Sequence, residues 1–288
     1  MNLNSLLMTA AAWAARIFPG RVKKAFYANP TLARTIRQGL NRAVPPGFTE
    51  TTIAGGDLAG YRLILDLQIE KDYWLGTYEL ELQGAVRDFT KPGSVVYDLG
   101  ASIGYVSLLF AKAVTSSGRV LAFEPLPANL ERLAKNISLN GSEDRVDVVP
   151  YAVIDATRPV EFLLGPSVGM GKAAGSSGRG EQVYEERLIV EGIALDDFVF
   201  IRGNPAPDII KIDIEGGEIL AFPGMRQILM KKHPIIFLEL HGAEAAELSW
   251  QMLMEAGYKI CRMKAGYPAV NSPSDLDWKA YLIALPQE

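Results

Sequence analysis

Five acidic residues and one histidine stand where apolar runs give way to glycine or to a polar break, and these are the side chains placed to do chemistry. Asp98 lies within the run Val95-Val96-Tyr97-Asp98-Leu99 and just before Gly100-Ala101-Ser102-Ile103-Gly104. A carboxylate at that point repels a pyrophosphate but accepts hydrogen bonds from an ammonium group or a hydroxyl. Glycines in such a turn let the backbone bend sharply and approach a ligand, while the first amides of the following helix offer donors. Glu124 closes the next apolar run, Val120-Leu121-Ala122-Phe123, where a carboxylate can take both hydroxyls of a ribose. An acid, glycines and a second acid describe a nucleoside that carries an amino acid. A nicotinamide dehydrogenase or epimerase is disfavoured, because Asp98 opposes a dinucleotide and no Gly-x-Gly-x-x-Gly fingerprint is present.

A second group follows further along. Asp213-Ile214-Glu215-Gly216-Gly217-Glu218 ends the apolar stretch 208–214, and Glu239 and His241 close the stretch 234–240. Ligands of open α/β sheets collect beyond the carboxyl ends of the strands, so these residues should face the same crevice as Gly100. Transfer of a group to a hydroxyl gains from a base. His241 is the candidate, while His233, at the opposite end of the same run, reads as structural. Oxygen ligands with one imidazole also suit Mg or Mn, so a divalent cation is possible. The spacing is not diagnostic, and carboxylates at such a turn equally fix helix amides; a metal is not favoured and none is assigned.

Several ordered motifs now stand together: Gly76-Thr77-Tyr78-Glu79, Asp98 to Gly104, Phe123-Glu124-Pro125, Leu195-Asp196-Asp197-Phe198, Lys211 to Glu218, and Glu239-Leu240-His241. Across residues 74–242 the chain resembles the FkbM family of S-adenosylmethionine-dependent methyltransferases, within the class having a seven-stranded Rossmann-like fold. It departs from the family pattern at Ser102, where Asn is usual, and at Gly217, where Ala is usual. The resemblance implies that S-adenosyl-L-methionine is the cofactor, held by Asp98, Gly100, Ser102, Gly104, Glu124, Pro125 and Asp213. It also implies Tyr78 and Glu79 near the methionine end, with Glu79 an acceptor for the ammonium, and the loop containing Ala152 and Val153 against the adenine. The implied activity is O-methylation of a hydroxyl on a small molecule, sugar or glycan, with His241, Asp213 and Glu215 as catalytic residues. A cofactor-binding protein without transferase activity, acting through a partner, stays the alternative, since binding and turnover are separate properties.

The elements that position these residues alternate in type. Strand 95–99 leads to a helix over 103–114, strand 120–123 to a helix over 128–139, and strand 146–150 follows. Strands at 208–214, 234–240, 258–262 and 279–285 complete the pattern, with a helix over 243–256. Alternation at this spacing predicts an α/β fold, a mostly parallel sheet with helices on both faces. Ahead of it the residues 49–67 read as a β-hairpin, and a helix is expected over 79–89. Val160 to Leu164 and Arg187 to Ile193 read as strands, separated by a Gly- and Ser-rich loop over 165–180 that is either a surface connection or a lid. The loop 264–277 can help shape an acceptor pocket.

Leu3, Leu6, Leu7, Ala10, Trp13, Ala14 and Ile17 recur at helical spacing, and a second helical pattern holds Leu32, Ile36 and Leu40. These define an N-terminal helical extension over 1–48, followed by a methyltransferase domain over 49–288. The first helix reads as one packed on its own domain, with a membrane surface, a partner or a lid as the alternatives. It lacks basic residues ahead of its apolar stretch and carries Arg16 within it, a poor fit to a secretory signal. A formal charge of −4 gives no electrostatic reason to expect nucleic acid. The single cysteine, Cys261, lies in an apolar run, excludes an internal disulfide and suits a reducing cytoplasm. No run approaches the ~18 apolar residues of a transmembrane segment, and nothing in the sequence fixes the oligomeric state.

Overall fold

Short runs rich in Val, Ile and Leu form the strands because they are buried on both faces of a sheet, as parallel strands between helical layers must be. A computed structural model describes residues 46–165, 171–177 and 186–287, with isolated positions before residue 46. The expected N-terminal helices and the outer parts of the Gly- and Ser-rich loop lie outside the described residues.

The strands in chain order are β1 (Phe48–Thr52), β2 (Arg62–Asp66), β3 (Val95–Leu99), β4 (Arg119–Phe123), β5 (Val146–Val149), β6 (Ala152–Val153), β7 (Pro159–Leu164), β8 (Gly171–Ala173), β9 (Glu186–Ile193), β10 (Ile209–Ile212), β11 (Ile235–His241), β12 (Tyr258–Arg262) and β13 (Lys279–Pro286). Seven of them make one sheet in the order β12-β13-β11-β10-β3-β4-β5. Every neighbour pair is parallel except those of β13, which runs antiparallel to both β11 and β12. The expected sheet is therefore present. Its strand order reverses between β3 and β10, the point where a ligand crevice opens in this architecture.

By its contacts the chain forms two compact units, one of residues 1–83 with 135–141, the other of residues 84–134 with 142–288. In the first unit β1 and β2 pair as the expected antiparallel hairpin. The side chain of Asn136 accepts from Ile64 N at 2.7 Å, and Asn140 both accepts from Arg62 N at 2.9 Å and donates to Arg62 O at 2.7 Å. These bonds satisfy one edge of β2 and bring the segment 135–141 into that unit.

In the second unit the central helix, Tyr105–Val114, begins at Gly104, whose φ of +87° only glycine adopts readily, and buries most of its residues. A second core is built on the sheet β6-β9-β7-β8. There the structure corrects two expectations. Ala152 and Val153 form a strand paired with Gly192 and Ile193, not a loop, and Gly171–Ala173 pairs with β7 inside the stretch read as a loop. Both strands are two or three residues long, too short for a period to show. Between β10 and β11 the chain winds through Glu218–Ala221, Phe222–Met225 and Arg226–Lys231, a helical segment not expected from the sequence because Pro223 and Gly224 interrupt its pattern. Asp196 accepts from Gln227 N and Ile228 N, so the Leu-Asp-Asp-Phe motif holds the start of the last of these helices. Cys261 is buried in β12. Among the described residues no helix is long and apolar enough to cross a membrane.

Candidate active site

Residues along a strand alternate between the two faces of a sheet. Tyr97, Leu99, Ile210, Ile212, Leu238 and Leu240 enter the main hydrophobic core on one face. Asp98, Lys211, Glu239 and His241 therefore turn to the other, at the carboxyl ends of three adjacent strands. Lys211 lies opposite Asp98 on β3 and opposite Phe237 on β11.

Asp98 is fully buried. Its Oδ2 accepts from Ser107 Oγ at 2.6 Å, and its Oδ1 lies 3.2 Å from Lys211 Nζ. The same ammonium donates to Gly100 O at 3.1 Å and Leu99 O at 3.3 Å. The carboxylate thus meets Ser107 and Lys211, and through the lysine it holds the turn. Lys211 itself carried only the signal of one charge inside a buried apolar run.

The turn is left-handed at three residues, Gly100 (φ +75°), Ser102 (φ +50°) and Gly104 (φ +87°). A Cβ on Gly100 would stand 2.0 Å from Asp213 O, so glycine is what allows β3 and β10 to end side by side. Glu124 fastens the turn, with Oε2 accepting from Ser102 N at 2.9 Å and Oε1 from Leu126 N at 3.0 Å. Burial pushes its carboxyl above the ordinary range, although Leu126, Asn129, Ser102 and Lys211 pull the other way. Two amides and the Asn129 side chain use three of the roughly four acceptor positions of a carboxylate. One acceptor position remains. Pro125 follows, two residues before the helix Pro127–Ser138 starts.

The second group converges as expected. His241 is buried between carboxylates, with Nδ1 3.4 Å from Glu218 Oε1 and Nε2 3.0 Å from Glu239 Oε1 and 3.9 Å from Glu215 Oε2. Burial alone would lower its pKa, but Glu218, Glu239 and Asp213 raise it to about 10. The imidazole therefore has both nitrogens facing carboxylates and its proton is held between them. Glu239, which burial would raise, is held down to about 2 by His241 and Lys279. Asp213 is pushed up to about 7, by burial first and by the Glu239 carboxylate next. Its side chain is 18% exposed and that of Glu215 46%, so these two open towards solvent. Lys279 and Ser177 escaped notice in the sequence, and Glu218 was quoted with its motif but given no role. Lys279 pairs with Glu239 Oε1 across the β11–β13 ladder, and Ser177 Oγ donates to Gly216 O at 3.1 Å and His241 O at 3.2 Å. Only the fold brings them there.

The other expected cofactor residues have these surroundings. Ala152 and Val153 spend their side chains in two hydrophobic cores. Tyr78 and Glu79 belong to the first unit, where the Tyr73 and Tyr78 rings lie 4.4 Å apart and Gln83 Nε2 donates to Tyr78 O at 2.6 Å.

The sequence model of the methyltransferase FkbM domain matches residues 98–260, more than half the chain and nearly all of this site. The chain belongs to the FkbM methyltransferase family. As a member it is an S-adenosylmethionine-dependent methyltransferase. Among curated relatives of this FkbM-family chain is the hexuronic acid methyltransferase AglP of Haloferax volcanii, 27% identical over 197 residues, covering 67% of this chain and 71% of that protein. The 31-O-demethyl-FK506 methyltransferase FkbM of Streptomyces tacrolimicus is 26% identical over 176 residues, covering 50% of this chain and 67% of that one. Among solved structures, the methyltransferase FkbM of Methylobacillus flagellatus superimposes with a TM-score of 0.45 at 18% identity, covering 76% of this chain and 53% of that chain.

Proposed function

We propose that this methyltransferase modifies a hydroxyl group of a sugar or related polyhydroxylated small molecule. The observation that carries the reading is the approach of two sites: the Gly100 turn touches the backbone of Asp213, whose side chain belongs to the polar group at the ends of β10 and β11. A relative whose name states a hexuronic acid acceptor supports the choice of substrate class. The lone buried Cys261 suits work in a reducing compartment such as the cytoplasm.

The residues divide the work. Gly100, Ser102 and Gly104 shape the cradle for S-adenosylmethionine, Glu124 offers its remaining acceptor position to a ribose hydroxyl, and Asp98 positions the turn through Lys211. When bound, the cofactor supplies an electrophilic methyl group whose carbon–sulfur bond breaks with the electron pair leaving on sulfur. Asp213 and Glu215 are the carboxylates with exposed oxygens, so they orient the acceptor hydroxyl and receive its proton. His241, held by Glu218 and Glu239, keeps this pair in place.

Two measurements test the reading. Glu124→Ala should weaken S-adenosylmethionine binding in a calorimetric titration by about 1.5–3 kcal/mol, the worth of a hydrogen bond to a charged group; unchanged affinity removes Glu124 from the cofactor site. Incubation with methyl-labelled cofactor and a panel of uronic acids should place label on a hydroxyl oxygen. Label found only on nitrogen acceptors, or on none, overturns the acceptor class.

A further inference from the structure

We infer that Asp213, Glu239 and His241 form a binding site for a divalent cation of the magnesium or manganese kind, and that this cation takes neighbouring hydroxyls of the acceptor. One ligand atom from each of the three side chains lies within 4.8 Å of the others, a span that a single ion can bridge. Two carboxylate oxygens and one imidazole nitrogen make a donor set of the hard type those cations accept.

Three further observations point the same way. Glu239 is 5% exposed, and while its Oε1 meets His241 and Lys279, its Oε2 is buried without a hydrogen-bond partner. An orphaned buried carboxylate oxygen is costly unless something positive meets it. Secondly, Glu218, fully buried behind His241, faces Nδ1 at 3.4 Å. A carboxylate on one imidazole nitrogen fixes the ring so that the other nitrogen can ligate, the usual support of a metal-bound histidine. Thirdly, five carboxylates, those of Asp98, Asp213, Glu215, Glu218 and Glu239, gather around Lys211, Lys279 and His241, and binding an ion at Nε2 displaces the proton of the imidazole. The lysines leave an excess of negative charge that a doubly charged ion is suited to offset. The ion would replace the hydrogen now lying between His241 Nε2 and Glu239 Oε1.

The substrate class follows from the surroundings. Asp213 and Glu215 open to solvent on one side, so oxygen donors of an acceptor can complete the ion's coordination there. Trp278, 46% exposed, stands edge-on to His241 with ring centroids 5.9 Å apart and gives an apolar surface beside that opening. A vicinal diol on a ring with one apolar face meets both. A cation on the hydroxyl lowers the cost of losing its proton, which then passes to the Glu215 carboxylate. The acceptor role rests on the methyl-transfer reading; the cation site does not.

The test is Mn(II) binding to the full chain, freed of metal by chelator and dialysed, read by electron paramagnetic resonance. Saturable binding at a single site, displaced by Mg(II), is expected. Asp213→Asn should abolish it, and Glu218→Gln, which leaves all three ligands in place, should weaken it roughly ten- to a hundredfold. Circular dichroism and thermal unfolding of the same samples serve as the control for folding. Mn(II) should also quench the fluorescence of the wild-type chain more than that of Trp278→Phe, a readout that needs no ligand variant. Absence of saturable Mn(II) binding in a chain that still binds S-adenosylmethionine overturns the cation site alone. Mn(II) binding without cofactor binding leaves the cation site standing and removes the methyl-transfer reading, and equal Mn(II) affinity in Asp213→Asn places the ion elsewhere and overturns the assignment.

Discussion

Ser102 is the residue at which this chain tolerates strain in order to keep its turn. An L side chain at φ +50° costs roughly 1–2 kcal/mol unless it is Asn or Asp, whose short polar groups bond locally. Asn is also what the family usually carries there, so Ser102→Asn should stabilise the chain by up to about 1 kcal/mol in a denaturant titration. A loss of stability would show that the serine hydroxyl has a use that its backbone amide on Glu124 does not reveal. Residue types were the most legible layer of the site. Asp98, Gly100, Gly104, Glu124, Asp213, Glu239 and His241 could all be picked out, because an acid or glycine at the end of an apolar run has few structural reasons to be there. Their individual roles were less legible, since Asp98 and His241 are each decided by partners remote in sequence.

At the scale of elements, the site depends on the register of β3 against β10. That register sets Lys211 against Asp98 with both side chains almost wholly buried. Removing one member of such a pair leaves an uncompensated charge, so Lys211→Met should cost about 3–5 kcal/mol of stability. It should also loosen the Leu99 and Gly100 carbonyls that the ammonium holds. A double-mutant cycle with Asp98→Asn checks the mechanism: strictly additive losses would mean that the two residues do not act as a pair. The strands of the large sheet were legible from their apolar runs, with ends correct to within one or two residues. Register was not, because nothing in a single strand says which neighbour it will meet or in what alignment. For the same reason no role could be read for Lys279 or Glu218, and the two- and three-residue strands β6 and β8 left no pattern to read.

At the scale of the whole molecule, the contacts of the chain gather into two units. The hairpin of β1 and β2 carries no composition break that separates it from the sheet domain, yet it gathers the segment 135–141 through Asn136 and Asn140. Asn140→Ala removes both bonds to Arg62 and should lower stability by about 1–2 kcal/mol, two ordinary hydrogen bonds in part exposed to water. Faster hydrogen exchange should follow at Arg62 N and Ile64 N while the amides of β3 and β4 keep their protection. Equal acceleration in both units would show that they open as one body.

The antiparallel strand β13 also has a meaning in time. It is the last of the seven to be synthesised, yet it lies inside the sheet, between β11 and β12, which do not touch each other without it. Until it arrives β12 has no neighbour, Glu239 lacks its lysine, and Trp278 is not beside His241. A chain still on the ribosome therefore has the Gly100 turn of β3 and Glu124 of β4 well before the polar group around Glu239 and His241 is complete.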